Sequence, residues 1–135
     1  MSVTTYAANK VLDYNFGLTS YTVPSTYYVL LSTATIANDG TGAVEPSGGA
    51  YARVAVTNNK TNFATASSNS LTNATAITFT ESTTSWGTIT YIGLADALSG
   101  GNIWWFEALP TPKTVQSATT VTFSVGALTV SMTNS

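Results

Sequence analysis

Only one stretch of this chain carries a helical period, and it is short. In residues 4–16, Ala7, Val11 and Tyr14 recur at i, i+4 and i+7, and Ala8 and Leu12 widen the stripe. Thr4 or Thr5 offers an N-cap oxygen, and Gly17 stands where a helix end wants a left-handed residue. Two uses fit such a helix: docking the protein to a larger body, or closing one end of a sheet sandwich. Everywhere else, short apolar or alternating runs are separated by Gly, Asn, Ser and Pro clusters. Strands of that kind bury themselves only by pairing and stacking, so the chain must form layered sheets.

The individual runs give the layers some detail. Tyr27 to Ser32 is almost continuously apolar after the extended entry set by Pro24, which predicts a strand buried on both faces. Tyr51 to Asn58 alternates, with Ala52, Val54 and Val56 on one face and Tyr51, Arg53 and Thr57 on the other. Ile77 and Phe79 share one side of a short strand. Thr88 to Asp96 and Ile103 to Leu109 flank Ser99-Gly100-Gly101-Asn102 and read as a hairpin. Gly93 inside it predicts a bulge or a close approach of another backbone.

At the C-terminus the apolar phase switches from Val121, Phe123 and Val125 to Leu128, Val130 and Met132. A two-residue turn at Gly126-Ala127 would pair Val125 with Leu128, Phe123 with Val130 and Val121 with Met132 on one face. One long strand with a bulge at Gly126 is the competing reading. Two long connections remain, 34–50 and 59–75, the second anchored by Phe63 and Leu71. The length of the first marks it as functional or as an interface. The sum is an all-β fold, a β-sandwich or jelly-roll-like domain of about eight strands with one short N-terminal helix at about 4–16, spanning 1–135.

Composition then removes most chemistry. The chain has no histidine or cysteine, and only four basic and six acidic residues in 135. The usual general acid/base and the usual transition-metal ligands are therefore missing. Lys10, Arg53, Lys60 and Lys113 are scattered, and the net charge of −2 offers no footprint for nucleic acid. No run approaches the ~20 apolar residues of a membrane helix. The N-terminus has no basic cluster followed by an apolar run, so synthesis in the cytoplasm is expected.

Asp39 with Glu45, and Asp96 with Glu107, could in principle form carboxylate pairs, but turn-capping explains them better. Asn38-Asp39-Gly40-Thr41-Gly42 lacks the later acids of a calcium loop. No Ser-x-x-Lys spacing occurs, and Pro46-Ser47-Gly48-Gly49 opens no phosphate-binding helix. No catalytic, cofactor or metal residue is assigned, and no cofactor is expected.

What remains is surface. Trp104, Trp105 and Phe106 are consecutive, so on a strand Trp105 opposes the other two. Burial on both faces, a subunit interface and a glycan platform are all compatible with that. Few repelling charges and long Thr/Val strands invite edge association, which a homo-oligomer would answer. The interface candidates are Trp104, Trp105, Tyr51, Tyr91, Glu45 and Arg53.

Several stretches resemble a family of small tailed-bacteriophage and prophage virion proteins, of the tail-fibre-like or minor structural kind. They are Leu12-Asp13-Tyr14 with Phe16-Gly17, Tyr28 to Thr33, Asp39 to Gly42, Glu45 to Val54, Trp86 to Ile89, Pro112 to Val115, and Gly126 to Leu128. Glu45 to Val54 is the most specific of these.

The resemblance implies a β-rich particle protein without catalytic residues. The first expectation is a capsid decoration (cement) protein, a homo-oligomer expected to be a trimer. It would be bound to the major capsid protein at capsomer junctions and would stabilise the shell by burying area there. A domain starting at its own Met1, with no shaft repeat, fits that expectation. The alternative is a tail-tip or fibre-head module that binds host surface glycan. An enzyme degrading surface polymer ranks last.

Overall fold

The computed structural model describes residues 1–132. They form nine strands and one helix. The elements are β1 (Ser2–Val3), α1 (Thr5–Asn15), β2 (Thr26–Ser32), β3 (Val54–Thr57), β4 (Ser70–Thr72), β5 (Ile77–Thr78), β6 (Gly87–Ala95), β7 (Ile103–Val115), β8 (Thr122–Phe123) and β9 (Thr129–Ser131). The main antiparallel sheet runs β1-β7-β6-β2-β3, and two small sheets pair β4 with β9 and β5 with β8. The architecture is an open β-sandwich.

The central strands are buried on both faces, as the sequence predicts for Tyr27 to Ser32. Val29, Leu30, Leu31 and Ile92 are wholly buried, each contributing roughly 1.5–3 kcal/mol of transfer energy. On one face Val29, Leu31, Ile92 and Leu94 meet Phe63, Ile77, Phe79 and Leu128 from the small sheets and their connections. On the other face Leu30, Ala95, Ile103 and Phe106 are roofed by Ile36 and Ala43 of the 34–50 connection. That long loop is therefore a layer of the sandwich.

The β6–β7 hairpin forms as expected. Its Gly93 is not a bulge. A Cβ there would stand 3.3 Å from Leu30 Cδ1 and 3.4 Å from Ile103 Cγ2, so glycine admits close side-chain packing rather than another backbone. One irregularity of the pair lies one step on, and a second lies where pairing passes from Tyr91–Ala108 to Ile89–Lys113. Leu94 pairs with Trp105 and Ala95 with Ile103, which leaves Trp104 without a cross-strand partner. Pro110 and Pro112 continue β7 past the short segment that β1 covers, so their missing N–H groups disrupt no ladder on that edge.

One expectation fails. The Gly126-Ala127 hairpin does not form, nor does a single bulged strand: β8 pairs with β5 and β9 with β4. The chain does reverse there, with Ala127 N donating to Ser124 O and Gly126 at φ +80°. However, the buried Asn73 occupies the space between the arms. Its Nδ2 donates to Thr75 O and Ser124 O, and its Oδ1 accepts from Leu128 N. The backbone groups of the two arms find Asn73 instead of each other, and Val125 and Met132 stay exposed.

The helix α1 forms close to the expected 4–16. Thr4 caps it, its Oγ1 accepting from Ala7 N at 3.2 Å and donating to Ile103 O at 2.8 Å. Of the expected stripe, only Ala7 is buried; Leu12 and Tyr14 point to solvent. The helix docks by its first turns alone because β7 contacts only that end.

Candidate functional site

The segment Glu45 to Val54 is built around one carboxylate. The strand expected over Tyr51 to Asn58 begins only at Val54, so Tyr51 and Arg53 lie in the irregular chain before β3, and both reach Glu45. Tyr51 Oη donates to Glu45 Oε1 at 2.7 Å; Arg53 donates from Nε to Oε1 at 2.9 Å and from Nη2 to Oε2 at 2.8 Å. This two-point fork is the strongest geometry an Arg–carboxylate pair can adopt. Arg53 Nη1 also donates to Ala97 O and Gly100 O, which ties the 34–50 loop to the β6–β7 turn.

Burial pushes the Glu45 carboxyl up, but the hydrogen bonds from Arg53 and Tyr51 and the Arg53 charge more than offset it. The net value lies below the ordinary carboxylate range. Arg53 is held charged by the same bonds. Burial drives the Tyr51 phenol far upward.

The Tyr51 ring stacks on Phe79 and meets Trp86 edge-on. Trp86 Nε1 in turn donates to Gly49 O at 2.8 Å. Gly49, at φ +61°, has no room for a side chain: a Cβ would lie 2.5 Å from Thr84 Oγ1. Glu45, Tyr51 and Arg53 are thus engaged in internal bonds. Asp39 closes its own turn by accepting from Thr41 N and Oγ1. Among the described residues no three acidic side chains gather as a metal site requires.

The tryptophans lead to two different concavities. Trp105 is half-buried and lines a cleft of about 600 Å³ between the main sheet and the β4–β9 ribbon. Its floor is Tyr27, Phe63, Leu71, Leu94 and Val130, and Lys60 stands on the rim. The indole N–H is already bonded, donating to Ser131 O at 3.2 Å. Burial first, then the charges of Tyr21 and Asp96, push the Tyr27 phenol up to about 12. This surface is almost wholly carbon and offers little to a hydroxylated ligand.

Trp104 turns to the other side. Its Nε1 donates to Asp96 Oδ2 at 3.0 Å, and Tyr6 packs edge-on against it with ring centres 5.4 Å apart. Together with Tyr28, Thr26 and Ser25 these residues line a bowl of about 380 Å³. Burial raises the Asp96 carboxyl, but bonds from Asn102 and Trp104 lower it by more, so it stays ionised well into acid.

Asn102 N bonds Asp96 Oδ1, and Asn102 Nδ2 and Trp104 Nε1 both bond Oδ2, so the ionised carboxylate keeps one acceptor position, on Oδ1, near two half-buried phenol rings, and hydroxyls complete the rim. That mixture suits a polyhydroxy ligand, which needs an apolar platform and fixed acceptors together. Sequence reasoning singled out Trp104 but not Tyr6, Tyr28 or Asp96 as its companions. Their convergence comes from the cap at Thr4 and from the Tyr28–Ala95 register, which are long-range facts. Tyr91 sits half-buried against the Leu30–Phe106 cluster.

A family model described as "Podophage GP4 fiber I protein gp80" matches residues 2–131. No curated protein matches the chain.

Proposed function

The chain belongs to the podophage GP4 fiber I protein family and is a structural protein of the phage virion; from that premise we propose that it is a fibre module that meets the host surface, not a cement protein of the shell. The match over residues 2–131 to a fibre family carries this reading. The Trp104 bowl supplies its chemistry. A sugar ring of a host surface glycan would lay its C–H face on Tyr28 and Tyr6 and donate one hydroxyl to the acceptor position that Asp96 has left. Trp104, bonded to that carboxylate, holds it in place as a positioning residue.

The test is a Tyr28→Ala variant, which removes the platform without touching the Asp96 bonds. It should lose about tenfold or more in affinity for host surface polysaccharide, roughly 1.4 kcal/mol. Particles carrying it should adsorb correspondingly more slowly. Unchanged binding and unchanged adsorption would sink the glycan reading.

A further inference from the structure

Residues 12–20 are all exposed, yet they carry four large apolar side chains: Leu12 at 55 %, Tyr14 at 50 %, Phe16 at 82 % and Leu18 at 79 % exposure. Tyr14 packs edge-on against Tyr21, and Leu12, Phe16 and Leu18 present on the order of 400 Å² of apolar surface, within the ~300–600 Å² of the largest patch on a monomer. The segment is held out by ordered geometry. Phe16 N donates to Leu12 O, Leu18 N to Tyr14 O and Thr19 N to Asp13 O, and Leu18 adopts a left-handed φ of +58°. A branched side chain in that conformation is strained. Leu12 and Phe16, four residues apart, form one face of the helix end.

The same chain carries a matching socket. The Trp105 cleft has an apolar floor and a volume of about 600 Å³, and no residue of 12–20 lines it. One charge stands at each place, and the signs are opposite. Asp13 lies in the projecting segment and Lys60 on the rim of the cleft, and neither forms an ion pair among the described residues.

We propose that Leu12, Phe16 and Leu18 of one copy seat in the Trp105 cleft of the next, with Asp13 reaching Lys60. This is a helix end laid in a groove, read out at i and i+4. Knob and socket are different surfaces, so the contact is head-to-tail. Repeated from copy to copy, such a contact builds a ring where the rotation between neighbours closes and an open filament where it does not. The knob falls short of the ~800 Å² per partner of a standard interface, and the polar rim of the cleft supplies the remainder. The proposal goes beyond the host-binding reading and uses neither Tyr28 nor Asp96.

The experiment is light scattering of the full chain over a concentration range. Wild type should associate beyond a dimer, into a ring or a filament. Phe16→Asp spoils the knob at an 82 %-exposed position, and Ala66→Glu spoils the socket from its exposed rim, so neither should disturb folding. Each variant alone should be monomeric, with association weakened roughly 30-fold or more. Mixed one to one, they should give a dimer and nothing larger, because one intact knob then meets one intact socket. Three results would each overturn the proposal: a monomeric wild type, a Phe16→Asp variant of wild-type mass, or a mixture that stays monomeric.

Discussion

Glu45 ties together three parts of the chain through one carboxylate, and its protonation state should be visible in folding. In the folded protein its value lies below the ordinary 4.5. A lowered folded-state value means that its contribution is complete above about pH 4.5. The contribution is lost as the pH falls through the lowered value. Asp96 acts in the same direction, from an ordinary 3.8. Stability should therefore hold from neutrality down to about pH 4.5 and then fall.

Glu45→Gln should cost about 1–2 kcal/mol at neutral pH and flatten the Glu45 part of the acid limb. Urea titrations at a series of pH values would measure both effects. An acid limb identical in the variant would show that Glu45 does not drive it. Arg53→Met should cost more, about 2–4 kcal/mol, because it leaves a partly buried carboxylate and two carbonyl oxygens without their donor. Chemical denaturation at neutral pH compares the two; an Arg53→Met protein within 0.5 kcal/mol of wild type, on the order of a neutral surface change, would contradict the clamp.

Among the secondary-structure elements, the 124–128 reversal shows how one side chain redirects two strands. The Asn73 side chain makes three hydrogen bonds to backbone groups, two of them in that reversal (Ser124 O and Leu128 N) and one to Thr75 O, and is almost fully buried. Asn73→Ala should orphan them and lower stability by about 3 kcal/mol, a shift of roughly 10 °C in melting temperature. Calorimetry checks this, and a shift under about 2 °C would mean that water replaces the side chain.

The same site marks the limit of what local pattern reveals. The phase change at Gly126 and the positions of Val121, Phe123, Leu128 and Val130 were legible, because period-two alternation is a local signal. Their partners were not, since a polar residue some fifty positions earlier decides them. The β6–β7 hairpin was legible because its turn residues and both strands are adjacent. The outward face of α1 was not, because its apolar stripe has the pattern of a buried one and only the placement of β7 leaves it uncovered. The strand at Val54–Thr57 was legible from alternation, whereas the irregular course of Tyr51 to Arg53 and their convergence on Glu45 depend on the fold of the connecting loop.

The molecule as a whole is a sandwich with a roofing loop, a projecting helix end and two unlike concavities. The family match leans to the proposed fibre module over a cement protein of the shell, and the two readings differ in copy number. Purified particles can be assayed by quantitative mass spectrometry against the major shell protein. A fibre module requires a few to a few dozen copies per particle. Hundreds of copies, or a ratio near one to the shell protein, would contradict the fibre assignment and return the chain to shell decoration.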